Sequence, residues 1–387
     1  MNNSLFSITH TSKKYGSRAR TGTIRTHHGT IKTPAFVPVA TKGALKSLTP
    51  AQAQDMSVQV SFVNAYHLVV HPSTAVVRAH GSIHEYARMP WPLFSDSGGF
   101  QVFSLAQKAR RGKLRDGEES ILVSLTQEQV VFRSVYDGEL ITFSPELSMQ
   151  YQIDIGADMI MAFDECTYYP ATHAYTAQAL RRTHEWLKRC VVYKNKNKRP
   201  DYPQYLYGVV QGGCFEDLRV ESAQFVGEQD VDGIAIGGVS VGESKQEMRE
   251  QVRWVQAHVP HKKPVHLLGV GHTDDILDLV HYGIDTFDCV EPTRLARMGV
   301  LLTASNTHES AHRWRWEKID ITSMMYKNDT NHIVSPSQYV GQFTYSYLHH
   351  LFKQKELLGY TIATMHNVAT MEHLMTRIRE DIQNDYI

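Results

Sequence analysis

Eight short apolar runs, most of them closed by a polar residue or a glycine, constrain this chain more than any other feature. They are Ala35–Val39, Val58–Asn64, Leu93–Gly99, Met159–Asp164, Tyr205–Gln211, Gly233–Gly238, Val265–Gly269 and Asp285–Asp288. Apolar residues at consecutive rather than alternate positions fit strands covered on both faces, as in a parallel sheet. Helical patterns lie between the later runs. Ala174–Lys194 carries Leu180, Trp186, Leu187 and Val191 on one stripe, and Gln246–His258 and Thr273–Tyr282 follow the next two runs. Strand and helix alternating in this way predict an α/β fold, a (β/α)8 TIM barrel. No Gly-x-Gly-x-x-Gly opens a helix near the amino end, which argues against a dinucleotide-binding sheet.

The length of 387 residues suits one large barrel with an appendage. We place the catalytic barrel at residues 1–305, because the strand–helix rhythm fails from about Asn306. Residues 306–387 form the C-terminal subdomain, with a helix starting near Tyr347 and an amphipathic one carrying Met371, Leu374, Met375, Ile378 and Ile382. The charged stretch Lys108–Ser120 is expected to be a surface loop with the character of a lid. Lys+Arg 40 balance Asp+Glu 40, so a basic coat for nucleic acid is excluded, though a local basic groove is not. Arg181, Lys188, Arg189, Lys194, Lys196, Lys198 and Arg199 form such a local cluster, on a helix end where solvated charge is the simpler reading. Four cysteines without paired spacing speak for a reducing compartment, and no secretory leader or membrane-length apolar run is recognisable. A cytoplasmic protein is expected.

The residues that close the runs are chemically pointed. Asn64, Asp96, Asp164, Gln211 and Asp288 would all converge on the carboxyl-terminal mouth, where barrel enzymes keep their chemistry. Asp96 stands in Asp-Ser-Gly-Gly-Phe-Gln and Asp288 in Phe-Asp-Cys-Val-Glu-Pro-Thr-Arg. Gly98 and Gly99 let backbone approach a flat ligand, and Phe100 offers a ring to stack on it. Asp164, Gln211 and the Gly237-Gly238 backbone supply donors and acceptors suited to a purine-like edge.

The ordered set Asn64–Leu68, Asp96–Gln101, Arg133-Ser134 with Asp137-Gly138, Ser144–Glu146, Phe163–Thr167, Val210–Gly213, His266–Gly271, Gly283–Val290 and Tyr347–Leu351 resembles tRNA-guanine transglycosylase, bacterial type. The likeness runs from about residue 15 to the end. It implies exchange of guanine at wobble position 34 of GUN-anticodon tRNAs for a 7-deazaguanine base, in queuosine modification. Asp288 matches the family's nucleophile, which attacks C1′ of the ribose, and Asp96 matches the residue that moves the base proton. Two displacements at one carbon retain configuration. The implied substrate pocket comprises Asn64, Ser97, Gly98, Gly99, Phe100, Asp164, Cys166, Gln211, Gly237, Gly238, Val241 and Leu268. The implied RNA-binding stretches are Gly269, Val270, Gly271, His272, Thr273, Asp274 and Asp275, then Thr293, Arg294, Leu295, Ala296 and Arg297. Cys166 and Val241 match members that take preQ1, while Ser240 is less typical of them, so preQ1 is favoured and queuine stays open. A homodimer is also open.

A different class of function, a catalytically silent tRNA-binding subunit, would be expected to lack the nucleophile, and Asp96 and Asp288 are both present. The 21 histidines suggest a metal hydrolase, but none has His-Glu-x-x-His spacing. The family's structural zinc is held by three cysteines and a histidine, which fall here at Ser335, Ser337, Val340 and His366. Serine hydroxyls are poor zinc ligands and valine is none, so the resemblance predicts loss of that zinc, no cofactor and a metal-free protein. Val340 and Tyr339 are expected to fill the vacated packing space.

Overall fold

The computed structural model describes residues 5–100, 122–134, 137–199, 202–305 and 315–387. Eight parallel strands form the central sheet: β1 (Ala35–Pro38), β2 (Ser61–Val63), β3 (Leu93–Ser95), β4 (Met159–Met161), β5 (Tyr205–Val210), β6 (Gly233–Ile236), β7 (Val265–Leu267) and β8 (Thr286–Cys289). Their order around the sheet is β1-β8-β7-β6-β5-β4-β3-β2. A parallel bridge from Val39 to Phe62 links the two ends and closes the ring. Seven strands lie within the apolar runs and the eighth, β8, overruns its run by one residue, Cys289, so the (β/α)8 reading holds.

Both faces of these strands are covered, as consecutive apolar residues require. Inside the barrel Val37, Phe62, Phe94, Met161, Tyr207, Val209 and Ala235 pack together. Phe62 stacks on Phe94 at 5.7 Å between ring centroids. Burial of each such side chain contributes roughly 1.5–3 kcal/mol. The outer faces meet helices His173–Lys196, Glu216–Glu228 and Lys245–Gln256. Lys245–Gln256 buries Met248, Gln251, Val252 and Val255, the stripe of a one-sided helix, and Ser244 with Glu247 caps its start as a capping box.

Three additions decorate the ring. Strands Phe6–Thr11, Arg20–Thr26 and Gly29–Thr33 make an antiparallel sheet, as do Leu122–Leu125, Val130–Arg133 and Leu140–Phe143 between β3 and β4. Trp186 ties the second sheet to the helix layer: its indole donates to the Gln127 carbonyl at 2.7 Å while its ring lies 4.8 Å from Phe163. The third is the hairpin Val300–Ser305 with Arg315–Asp320, so a division at 305/306 falls between two paired strands. Lys108–Ser120 lies outside the described residues.

The C-terminal helices run Tyr345–Gln354 and Leu357–Gln383. The second is not one-sided as its apolar spacing predicts. It is enclosed over most of its length, burying Thr364, His366, Asn367 and Glu372 with its apolar residues. Asn367 makes this tolerable: its Oδ1 accepts from Leu302 N at 2.8 Å and its Nδ2 donates to the Pro292 and Val300 carbonyls. Buried polar groups need such partners.

Candidate active site

Residues just past the carboxyl ends of the strands build the site. β3 delivers Asp96, whose Oδ1 accepts the Ala65 N–H at 2.7 Å and the Gly98 N–H at 3.2 Å, while Asn64 Nδ2 donates to Oδ2. Asn64 is itself held, because its Oδ1 accepts from His67 N at 3.1 Å and caps Ala65–Val70. Burial pushes the Asp96 carboxyl up to about 7; the two backbone donors oppose this, and nearby Asp288 and Asp164 add to it. A carboxyl poised there exchanges a proton near neutral pH.

β4 and β5 deliver a second group. Gln211 Nε2 donates to Asp164 Oδ2 at 2.7 Å, and the Ser97 hydroxyl donates to Oδ1 at 3.3 Å. Burial raises Asp164 to about 6, against the pull of those donors. Gln211 Oε1 is buried without a hydrogen-bond partner among the described residues, a free acceptor beside the Gly238 backbone. Gly238 sits at φ +63°, where a Cβ would collide with that oxygen. Gly98 is similar: φ is +80° and a Cβ would meet Phe143 at 2.6 Å. These glycines are thus required by neighbouring protein side chains, in addition to any ligand. Phe100 is 50% exposed, Cys166 is buried, and its thiol is pushed up to about 12 by burial. Val241 is half-buried, with its N–H on Glu243 Oε2 at 2.8 Å, and Leu268 is half-buried at the end of β7.

β8 delivers Asp288. Gly269 N donates to its Oδ1 at 2.9 Å, and His266 Nε2 lies 3.2 Å from the same oxygen. His266 Nδ1 is 2.8 Å from the Thr286 hydroxyl. With that hydroxyl as donor, the imidazole carries its proton on Nε2 and presents it to Asp288. Asp288 Oδ2 accepts no hydrogen bond among the described residues.

Two residues of this arrangement are invisible as site residues in the sequence. His266 sits inside a buried apolar strand and reads as core. Arg219, on helix Glu216–Glu228, reads as a surface cation yet is fully buried. It donates to the Gly237 and Gly238 carbonyls at 2.6 and 2.8 Å and to Gln251 Oε1, so it fixes the backbone beside Gln211. Glu165 plays a similar part behind Asp164, accepting from Tyr175 Oη at 2.7 Å and Arg182 Nε at 2.6 Å. Only the pairing of these polar groups in space would have revealed them.

The stretches after β7 and β8 flank this mouth. Gly269, Asp274 and Arg294 are exposed, and His272, Leu295 and Arg297 half-exposed. Val270, Gly271, Thr273, Asp275, Thr293 and Ala296 are buried, with Asp275 paired to Arg249 at 3.0 Å and Lys245 at 3.2 Å. Three of the seven members of the other basic cluster are paired with carboxylates: Lys188 with Glu185, Arg189 with Glu146, and Lys194 with Asp232.

Ser335, Ser337, Val340 and His366 do not fit a zinc ion. His366 Nε2 is 2.7 Å from the Leu302 carbonyl, Ser337 Oγ accepts from Val340 N, and Val340 is wholly buried among Ile333, Leu348 and Leu351. Tyr339 does not share that packing: it is 45% exposed, with its ring edge-on to Phe343. Its phenol is polar enough to favour the wetter face.

The fold and the carboxylates gathered at its mouth place the chain among the (β/α)8-barrel enzymes. The family model described as queuine tRNA-ribosyltransferase matches residues 14–387. The queuine tRNA-ribosyltransferase of Roseiflexus sp. (strain RS-1) is 39% identical over 380 residues, 95% of this chain and 93% of the relative. That of Francisella tularensis subsp. novicida (strain U112) is 41% identical over 371 residues, 95% of this chain and 92% of the relative. The chain belongs to the queuine tRNA-ribosyltransferase family, the tRNA-guanine transglycosylases, which are pentosyltransferases of queuosine modification. No described helix is long and apolar enough to cross a membrane.

Proposed function

We propose that this enzyme exchanges guanine 34 of GUN-anticodon tRNAs for a 7-deazaguanine base through a covalent Asp288–ribosyl ester. The observation that carries the reading is the one-sided anchoring of Asp288, with Gly269 N and His266 on Oδ1 and no partner on Oδ2 among the described residues. Oδ2 attacks C1′, and the bond from C1′ to the guanine nitrogen breaks. Asp96, with its carboxyl near 7, protonates the departing base. The incoming base then returns a proton to Asp96 and attacks C1′; the ester bond breaks and Asp288 is regenerated. Asn64 orients Asp96, while Asp164, Ser97, Gln211 and the Gly237-Gly238 backbone hold the ring edge and Phe100 stacks on its face. The exposed residues Gly269, Asp274, Arg294 and the half-exposed His272 and Arg297 hold the anticodon loop.

PreQ1 is the favoured incoming base, because the Val241 side chain limits room for the cyclopentenediol of queuine. The quartet at 335, 337, 340 and 366 carries no zinc, and no step of this chemistry calls on one. The test is release of labelled guanine from a GUN-anticodon tRNA with preQ1 and queuine in competition. PreQ1 should win, and Val241→Gly should shift the ratio toward queuine by roughly tenfold, the scale of one or two methyl groups in an apolar pocket. An unchanged ratio would remove Val241 from base selection.

A further inference from the structure

At the amino end of the barrel, opposite the mouth, three residues far apart in sequence converge. His28 lies in the turn between Arg20–Thr26 and Gly29–Thr33, His84 in helix Ile83–Ala87, and Asp158 immediately before β4. His28 Nδ1 is 2.9 Å from Asp158 Oδ1, and His84 Nε2 is 3.2 Å from Asp158 Oδ2. One ligand atom from each residue fits within 4.8 Å of the other two. The imidazole rings stack with centroids 3.5 Å apart and planes 11° from parallel.

The partners of each ring decide where its lone pair points. His84 Nδ1 is 2.9 Å from the Met89 carbonyl, which accepts but cannot donate, so the ring proton sits on Nδ1. That leaves the Nε2 lone pair facing Asp158, and this buried Nε2 has no hydrogen-bond partner despite its nearness to the carboxylate. Tyr202 donates to the Gly156 carbonyl at 2.6 Å, and its oxygen lies 3.5 Å from His28 Nε2, too long to set that ring's tautomer. His28 Nδ1 faces the other carboxylate oxygen at 2.9 Å, and since a carboxylate only accepts, this ring's proton sits on Nδ1 and donates to Asp158. On His84, therefore, a buried lone pair faces the carboxylate, and the two repel. Protonating both rings instead would stack two imidazolium ions face to face.

We propose that His28, His84 and Asp158 bind one divalent transition-metal ion of the zinc class. A dication accepts the His84 lone pair and the carboxylate and, with release of the Nδ1 proton to solvent, the His28 nitrogen. An outer carbonyl such as that of Met89 on His84 is the usual device for setting a ligating histidine's tautomer. Tetrahedral zinc with ligands at about 2.0–2.1 Å has ligand–ligand edges of roughly 3.3–3.4 Å. The two nitrogen–carboxylate spacings, 2.9 and 3.2 Å, are near that edge, and all three ligand atoms lie within 4.8 Å of one another. The His84 and Asp158 side chains are 3% and 0% exposed, whereas that of His28 is 18% exposed and forms the entry side. Three protein ligands leave a fourth position for water. The ion would staple the amino-terminal hairpin and helix Ile83–Ala87 to the barrel floor, and it owes nothing to the quartet around His366.

The test uses the full chain stripped with a chelator and then titrated with Co²⁺ or Zn²⁺. One equivalent of Co²⁺ should produce the visible absorption of a low-symmetry, four-coordinate ion, and one equivalent of Zn²⁺ should raise the Tm. His28→Gln, at the partly exposed turn, and His84→Gln should each weaken binding by on the order of 100-fold or more. His366→Gln should leave both signals intact. Absence of both signals in the stripped wild-type chain would overturn the proposal. So would equal binding by the wild type and His28→Gln. Guanine exchange is not the readout, so the result stands apart from the reading of the catalytic mouth.

Discussion

Strand β3, Leu93–Ser95, has an aspartate at each end. At its exit Asp96 is held by two backbone N–H groups and the Asn64 amide, with Asp164 and Asp288 nearby. At its entry the Leu93 N–H donates at 2.9 Å to Asp158, which also faces His28 and His84. Burial favours the neutral acid at both places, yet the outcomes are opposite. Asp96 is pushed up to about 7. At Asp158 burial also pushes upward, but the two facing histidines, His28 by a hydrogen bond at 2.9 Å, overcome it and hold the carboxyl well below its ordinary value. Desolvation sets the scale of a shift, whereas the sign of the surrounding charge sets its direction. A group meant to give and take protons belongs among other carboxylates, and one meant to stay anionic belongs among histidines.

The largest expected effect separates Asp288 from every other carboxylate in the molecule. Asp288→Ala should lower guanine exchange by on the order of 10⁴–10⁶-fold, as loss of a nucleophile does. No denaturation-resistant adduct with tRNA should form. Full exchange by this variant would remove Asp288 as the nucleophile, whereas absence of exchange in the wild type would leave a tRNA-binding subunit. Asp96→Asn comes next, at about 10²–10⁴-fold in kcat, the usual worth of a positioned proton carrier. Since the acid form of Asp96 is populated below about 7, the kcat of the wild type should decline above that pH, and the variant should lose this limb.

A smaller effect tests the support of the nucleophile. His266→Gln can still place an amide N–H near Asp288 but not the same Thr286–imidazole pairing. We expect roughly a 10-fold fall in kcat with KM for tRNA little changed, because the histidine orients Asp288 and does not reach the RNA surface. An equal loss in KM would assign it to packing alone.

Much of this arrangement is legible in the sequence, and what is not has a physical reason. Consecutive apolar residues such as Tyr205–Val210 announce a doubly covered strand, and the polar residue that ends each run must then lie at the barrel mouth. That argument reaches Asn64, Asp96, Asp164, Gln211 and Asp288. It cannot reach His266 or Arg219, since a polar residue inside a buried element carries no local sign of its partner. The same holds for His28, His84 and Asp158, which come from three elements with no ligand spacing. Phe6–Thr11 has mixed burial with polar residues on its wetter positions, so it lacks the continuous apolar signal of the barrel strands.

The smallest effect is thermodynamic, and it tests the opposition between the two ends of β3 directly. Asp96 and Asp164 have folded-state values of about 7 and about 6, above the ordinary 3.8. The folded protein therefore holds more protons than the unfolded chain in that interval. The stability they contribute is complete below about pH 3.8 and is lost as pH rises through 6 to 7. Asp158 is shifted the other way, so its contribution is present above about pH 3.8 and is lost as pH falls below it. Denaturant midpoints measured from pH 3 to 7.5, in chelator to keep metal out of the balance, should resolve the two slopes. Asp96→Asn should flatten the decline between about pH 4 and 7, by on the order of 1–2 kcal/mol across the window, since the mouth is partly open to water. Asp158→Asn should leave that window alone and flatten the decline below about pH 4. If Asp96→Asn keeps the wild-type slope, the carboxyl at the exit of β3 is not raised in the free enzyme, and its role as proton carrier must depend on bound RNA.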